Sequence, residues 1–146
     1  MFLKKKFFNE QEEQLILKAI RDAENKTSGE IRVHVTPNIQ KTVLDDAALW
    51  FNKLNMHETS NSNGVLIFLA YEDKEFAIIG DSGINNKVPT DFWENIKSQM
   101  QIDFKESLFC EGIIRAIEKT GEQLKSFFPI TSNDKNELND NVSYGE

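Results

Sequence analysis

The sequence predicts an α/β fold: a three-layer α/β/α sandwich around a small mixed sheet, with one parallel β-α-β crossover and one β-hairpin. Residues 64–71 form an apolar run without charge, which is typical of a strand buried on both faces. A short polar turn and a second apolar stretch, residues 75–80, follow this run and indicate a hairpin. Helical patterns before, between and after the strands supply cover for both faces of the sheet.

The chain begins with a predicted helix and a predicted strand. Residues 9–26 carry an apolar stripe at helical spacing, and Asn9 and Glu12 are placed to form a capping box. Residues 30–36 alternate strictly between apolar and polar side chains, which predicts a strand. The predicted core face of this strand carries Ile31, Val33 and Val35.

A second helix, predicted over residues 43–55, connects this strand to the apolar strand that follows it. Asp45 and Asp46 lie in its first turn, where carboxylates interact favourably with the helix dipole. The helix lies between two strands, so those strands should be parallel neighbours. The predicted inward face consists of Leu44, Ala47, Ala48, Phe51 and Leu54.

Two further helices complete the predicted domain. Asp91 and Glu94 are placed to form a capping box at the start of the first. Its predicted inner face carries Phe92, Ile96 and Met100. The second is predicted as one long helix over residues 103–127, and Gly112 and Gly121 within it indicate close backbone packing.

The chain divides into an N-terminal extension (1–8), an α/β domain (9–129) and a polar tail (130–146) that we predict to be disordered. Phe7 and Phe8 of the extension should fold back onto the domain. The only cysteine, Cys110, lies in an apolar helical pattern and is interpreted as a core residue.

Composition narrows the possible partners. The 146 residues suffice for one domain with a packed core. The net charge of −7 disfavours nucleic acid as a partner. The chain carries no signal-peptide pattern and no apolar run of about 18 residues, so we predict a cytoplasmic monomer without a membrane span.

Four blocks of sequence resemble the TPM domain family. They are TSGEIRV (27–33), NGVLI (63–67), AIIGDSGI (77–84) and Phe104 with Gly112-Ile113 downstream. The resemblance covers roughly residues 9–129 and implies an α/β sandwich. Some members are associated with divalent metals or phosphatase chemistry, and the family includes a thylakoid-lumen protein described as an acid phosphatase. Many members have a shorter Gly-x-Gly in place of Gly-Asp-Ser-Gly, and no phosphatase motif can be transferred residue by residue.

The predicted topology brings oxygen ligands to one end of the sheet. The third strand returns beside the start of the second, so Glu30, Asn63 and Asp81 should converge there, and Asp91 lies within reach. Carboxylate and amide oxygens suit Ca²⁺ or Mg²⁺ and do not suit zinc. Each residue also has an ordinary interpretation, as a turn residue, a solvated strand residue or a helix cap. Both interpretations remain open at this point.

The opposite end of the sheet offers a rival site with Asp45, Asp46 and Asp73. Ligands of open α/β sheets usually bind at the carboxyl ends of the parallel strands. His34 and His57 are candidate general bases, although isolated histidines are more often ordinary half-buried or surface side chains.

Two functions follow from these patterns. The first is a divalent-cation-binding domain with a regulatory or partner-binding role, whose partners are the cation and another protein. The alternative is a metal-assisted phosphatase acting on phosphate esters, which rests on the family resemblance. Phosphoryl transfer needs positive groups that stabilise the transferring charge. The three arginines, Arg21, Arg32 and Arg115, are predicted outside the site loops, and no catalytic residue is identified.

Overall fold

The described residues form a mixed sheet of four strands with helices on both faces. The computed structural model describes residues 6–130 and 142–145. In chain order the elements are α1 (Glu10–Glu24), β1 (Glu30–Thr36), α2 (Val43–Lys53), β2 (Gly64–Ala70), β3 (Glu75–Gly80), α3 (Ser82–Asn85), α4 (Glu94–Lys105), α5 (Phe109–Leu124) and β4 (Ser143–Tyr144).

The strands lie in the order β3-β2-β1-β4. β1 and β2 are parallel, with Glu30 opposite Gly64, and β3 returns antiparallel to β2, with Gly80 opposite Val65. β4 pairs in parallel with the outer edge of β1. The predicted α/β class, the parallel crossover and the hairpin are therefore confirmed.

The two faces of the sheet bury different sets of side chains. On one face, Val33 and Ile67 belong to the main core with residues of α1, α4 and α5. On the other face, Phe68 packs with Ala47 of α2, and Leu66 packs with Phe51. All seven residues of β2 are buried, as an uncharged apolar strand with helices on both sides requires.

Local capping signals predicted the start of α1 correctly. The Asn9 side chain accepts a hydrogen bond from the Glu12 amide at 2.8 Å. In return, the Asn9 amide donates to the Glu12 carboxylate at 3.0 Å. This reciprocal pair satisfies two amides that the first turn of a helix leaves without partners.

The predicted inward face of α2 was partly wrong. Leu44 is 64% exposed and Ala48 is also exposed, whereas the Asp46 side chain is buried. The Asp46 carboxylate accepts hydrogen bonds from the amides of Gln40 at 2.6 Å and Lys41 at 3.1 Å. This contact with the preceding loop orients the helix. The buried residues are Asp46, Ala47 and Phe51.

The predicted capping box before α4 was wrong. The helix begins at Glu94 after a turn, and its N-cap, Trp93, makes no side-chain cap bond within the described residues. Asp91 contributes its carbonyl oxygen, which accepts from the Glu94 amide at 3.1 Å. The three residues predicted to face inward are buried, namely Phe92, Ile96 and Met100.

The two helices predicted at the end of the domain are present, but the predicted start of the second, at residue 103, was wrong. α4 ends at Lys105 and α5 begins at Phe109. Ser107 between them adopts a left-handed backbone conformation with φ of 62°, which a continuing helix does not allow. The polypeptide changes direction there without a glycine or proline, so the sequence carries no ordinary signal of the break.

Both glycines of α5 lie at close helix contacts, as predicted. A Cβ atom at Gly112 would lie 2.7 Å from the Phe104 ring of α4. A Cβ atom at Gly121 would lie 2.7 Å from the Cβ of Ala23 in α1. The absence of a side chain at these positions allows the helix backbones to approach.

The two ends of the chain contact the domain. Phe8 is buried and Phe7 stacks on Tyr71 with ring centroids 3.8 Å apart, so these two residues fold back onto the domain as predicted. The tail predicted to be disordered contains the ordered segment 142–145, which includes β4, and this part of the prediction was wrong. Residues 1–5, 131–141 and 146 lie outside the described residues.

The interpretation of Cys110 as a core residue is confirmed. Its side chain is buried within the main core. Burial, reinforced by the negative charges of Glu12 and Glu111, raises the pKa of the thiol to about 11. A thiol with this pKa is protonated at neutral pH, as is usual for a cysteine that packs in a core.

Candidate metal centre

Three of the four predicted ligands lie on neighbouring strand ends. The Glu30 amide donates to the Asn63 carbonyl oxygen at 3.2 Å, and the Asp81 amide donates to the Gly64 carbonyl oxygen at 2.9 Å. Paired residues on adjacent strands point their side chains to the same face of a sheet. Glu30 and Asp81 therefore flank Gly64 on the α2 face, with Asn63 one residue before the middle strand.

Asn63 is held rigidly at this strand end. It is 1% exposed, and its amide donates to the Thr59 hydroxyl at 3.0 Å. Its side-chain nitrogen donates to the carbonyl oxygen of Ser28 at 3.2 Å, which directs the other side-chain atom, Oδ1, away from Ser28. That oxygen is buried and has no hydrogen-bond partner among the described residues. A buried acceptor of this kind favours a bound ligand or water.

Two carboxylates belong to the strand ends on either side of Asn63 and Gly64. Asp81 accepts from the Ser82 amide at 2.7 Å through Oδ1, and its Oδ2 is buried without a hydrogen-bond partner in the described part of the chain. Glu30 is only 3% exposed, so its interpretation as a solvated strand residue is wrong. Carboxylates are rarely buried to this extent unless charge or hydrogen bonds stabilise them.

Main-chain carbonyl groups of the loop before β2 approach the same strand end. A Cβ atom at Gly64 would lie 2.6 Å from the carbonyl oxygen of Met56. A Cβ atom at Gly83 would overlap the carbonyl oxygens of Asn61 and Ser62, the latter at 2.5 Å. These glycines let the loop lie directly against the strand and the short helix α3. Main-chain carbonyls of this kind are common calcium ligands.

Replacement of Gly83 by alanine will lower the free energy of unfolding by about 1–3 kcal/mol, because the methyl group must push the loop away. Gly83 does not have a positive φ, so the loss reports the lack of space and not backbone strain. Urea unfolding followed by circular dichroism measures the effect. Ser82→Ala, at the exposed neighbouring position, should change stability by less than about 0.5 kcal/mol. An unchanged unfolding midpoint in Gly83→Ala would contradict the loop contact.

Asp91 is less closely associated with the other candidates. It is exposed and lies in the turn before α4. Within residues 6–130 and 142–145, no group of three or more His, Cys, Asp or Glu side chains is placed to hold a metal ion. A cation at this strand end would therefore need the Asn63 amide oxygen and main-chain carbonyls in addition to carboxylates.

The rival carboxylates at the opposite sheet end serve local structure. Asp46 accepts the two loop amides described above, and Asp73 accepts from the Ile39 amide at 2.7 Å and the Asn38 side chain at 3.3 Å. Asp45 is exposed on the first turn of α2. These contacts hold the loop between β1 and α2 in place.

His34 is fully buried on the same sheet face as Glu30. Its ring stacks on Trp50 with centroids 3.8 Å apart, and its Nδ1 lies 2.9 Å from the Ser143 hydroxyl. Burial, reinforced by the positive charges of Arg32 and Lys53, lowers the pKa of His34 to about 4. The imidazole is therefore neutral at pH 7. His57, the other candidate base, is exposed.

The sequence matches the family model of the TPM domain over residues 2–123. The chain belongs to the TPM domain family. A search of curated proteins found no match.

Solved structures agree with this assignment. The BA42 protein of the psychrophilic bacterium Bizionia argentinensis, determined by NMR, has 43% sequence identity and a TM-score of 0.91, with 99% of this chain and 100% of that chain covered. The N-terminal domain of the cg2496 protein of Corynebacterium glutamicum shares the fold at 12% identity, with a TM-score of 0.67 and coverage of 91% and 84%. Among the described residues of this TPM domain, no helix combines the length and apolar character needed to cross a membrane.

Proposed function

We propose that this TPM domain binds a divalent cation, Ca²⁺ or Mg²⁺, where β1 and β2 begin, and that it acts as a regulatory or partner-binding module. One observation carries the proposal. Asn63 Oδ1 and Asp81 Oδ2 are both buried without a hydrogen-bond partner in the described residues, on adjacent strand ends beside buried Glu30. Oxygen atoms that are buried and not hydrogen-bonded are stabilised by a hard cation.

The donor set favours Ca²⁺ over Mg²⁺. It combines carboxylates and one amide oxygen with the nearby main-chain carbonyls of the loop before β2. Ca²⁺ accepts 6–8 such oxygens in flexible geometry, whereas Mg²⁺ requires a near-ideal octahedron and retains several waters. The net charge of −7 also attracts cations at low ionic strength.

A calcium titration followed by amide NMR shifts tests the proposal. The shifts should begin at Asn63, Gly64 and residues 81–83, and Asp81→Asn should weaken binding at least about tenfold, equivalent to about 1.4 kcal/mol. Asp45→Asn is the matched control, since it removes the same charge at the other end of the sheet and should leave affinity within about twofold. Asp91→Asn measures any contribution from the exposed turn. Shifts confined to other regions at millimolar calcium would contradict the site.

The alternative, a metal-assisted phosphatase, draws support from one position. Arg32 lies two residues after Glu30 on β1, so its side chain points to the same sheet face. Arg115, in contrast, forms two hydrogen bonds of 3.0 Å with Asp103, away from this strand end. Hydrolysis of a generic phosphate ester, assayed with Ca²⁺, Mg²⁺ and Mn²⁺, separates the two functions. Turnover lost in both Asp81→Asn and Arg32→Gln would favour the enzyme, and calcium binding without turnover would favour the binding module.

A further inference from the structure

The outer edge of β1 is covered by the chain's own C-terminal segment, residues 142–145. His34 pairs with Ser143 and Val35 with Tyr144, in parallel register. The Gly145 amide donates to the Val35 carbonyl oxygen at 2.7 Å, which continues the pairing by one residue. The contact lies at the carboxyl end of β1, at the other end of the strand from Glu30.

On the α2 face of the sheet, this edge contacts two particular residues of the segment, Ser143 and Gly145. The Ser143 hydroxyl lies 2.9 Å from Nδ1 of His34. A Cβ atom at Gly145 would lie 2.8 Å from Nε2 of His34 and 2.8 Å from the Thr36 hydroxyl. The position of Ser143 therefore suits a residue with a hydroxyl group, which lies within hydrogen-bond distance of His34. The position of Gly145, two residues later, has room only for glycine.

On the opposite face, the same segment contributes apolar contacts. Val142 and Tyr144 are half-buried and pack against the main core. The Lys6 ammonium lies 5.6 Å from the centroid of the Tyr144 ring, within the range of a cation–π contact. The alternation of apolar and polar contacts is the pattern by which a sheet edge recognises an extended peptide.

The segment that covers the outer edge of β1 is short. β4 has two residues, and all four residues of the segment are only half-buried. Such short, half-buried elements open with far smaller free energies than the sheet core. An opened segment would expose the amide and carbonyl groups of the β1 edge, which can then pair with another strand.

We propose that the outer edge of β1 is a peptide-binding site for an extended hydroxyl–aromatic–glycine segment of a partner protein, which replaces the chain's own Ser143-Tyr144-Gly145. The partner segment adds in parallel to β1, its hydroxyl contacts His34, and its glycine lies over His34 and Thr36. This inference deepens the partner-binding part of the proposed function. It is independent of the cation, which would bind at the other end of the strand.

The variant Gly145→Val of the 146-residue chain allows a direct test. The added side chain overlaps His34 and Thr36, so the segment should leave the edge while the domain stays folded. The probe is a labelled synthetic peptide with the sequence Asp-Asn-Val-Ser-Tyr-Gly-Glu, in buffer containing EDTA. It should bind Gly145→Val at least about tenfold more tightly than wild type, because the wild-type segment competes at an effective concentration in the millimolar range. Chemical shifts of His34 and Val35 report both the release of the segment 142–145 and the binding of the peptide.

Two peptide controls test the chemistry of recognition. A peptide with valine in place of glycine should not bind, and a peptide with alanine in place of serine should bind about tenfold more weakly to Gly145→Val. Equal affinity of wild type and Gly145→Val, or a segment that stays docked in the variant, would overturn the proposal. A concentration-dependent dimer that blocks peptide binding would also overturn the proposal. The edge of β1 would then bind the segment 142–145 of a second copy of this chain. Asp81→Asn should leave peptide binding unchanged, which separates this test from that of the cation site.

Discussion

Replacement of His34 by glutamine will remove the loss of folding stability that this residue causes between pH 6.5 and about pH 4. The imidazole stacks on Trp50 and lies beside Phe68, with ring centroids 3.8 and 5.7 Å away. Neither ring offers a counter-charge to an imidazolium ion. The charged groups that act on the pKa of His34, Arg32 of β1 and Lys53 of α2, are both positive and oppose protonation.

The sign of the effect follows from proton binding. The unfolded chain protonates His34 below pH 6.5, whereas the folded protein keeps it neutral until about pH 4. The unfolded state therefore binds more protons in this window, so stability falls as the pH falls. At about 1.36 kcal/mol per pH unit, the wild type loses about 3 kcal/mol through this residue. Below pH 4 both states are protonated, and the contribution no longer changes.

Urea unfolding at a series of pH values measures this contribution as a slope. His34→Gln also loses aromatic contacts and will be less stable at pH 7, so the slopes and not the absolute stabilities are compared. His57→Gln, at the exposed histidine, is the matched control and should retain the wild-type slope. A slope in His34→Gln equal to that of wild type would show that acid sensitivity arises elsewhere.

Gly121→Ala will destabilise the protein by about 1–3 kcal/mol, although alanine favours a helix by up to about 1 kcal/mol. The new Cβ atom would lie 2.7 Å from the Cβ and 3.0 Å from the Cα of Ala23. Both residues are buried where α5 crosses α1, so the two helices must separate. Overpacking therefore outweighs the gain in helix propensity.

A double-mutant cycle with Ala23→Gly isolates this contact. Ala23→Gly removes the methyl group that Gly121→Ala meets, so the double variant should recover about 1–2 kcal/mol relative to the sum of the single effects. Lys119→Ala, on the exposed side of α5, should change stability by less than about 0.5 kcal/mol. Additive single effects would show that the two helices do not touch at these residues.

Local patterns predicted much of the fold. The capping box of Asn9 and Glu12 involves residues of one helical turn, so neighbouring residues contain all the information. The strand β2 is buried on both faces because it has no polar side chain that would favour contact with water. The inward face of α2 was predicted incorrectly because more than one set of apolar positions could have formed it. The face that is buried depends on a hydrogen bond between Asp46 and the preceding loop. Hydrophobic periodicity gives no information about such a contact.

The candidate site was predictable in part. Strand order alone brought Glu30, Asn63 and Asp81 to one end of the sheet, because β1, β2 and β3 are neighbours in both chain and space. The burial of Glu30 and the approach of the Met56 carbonyl could not be predicted, since both depend on how the loop before β2 packs. The alternation of Val142, Ser143, Tyr144 and Gly145 was a strand signal, although too short to stand out in a polar tail.

The periodic elements, the central apolar strand and the neighbours of that strand could be predicted, because they follow from local hydrophobic spacing and short connections. What covers the outer edge of β1 depends instead on how distant parts of the chain pack together. His34 meets Ser143 across 109 positions of the chain, and no local pattern records such a contact. The same holds for the buried oxygens of Asn63 and Asp81. Their residue types were visible in the sequence, whereas the exclusion of water around them is a property of the packed molecule.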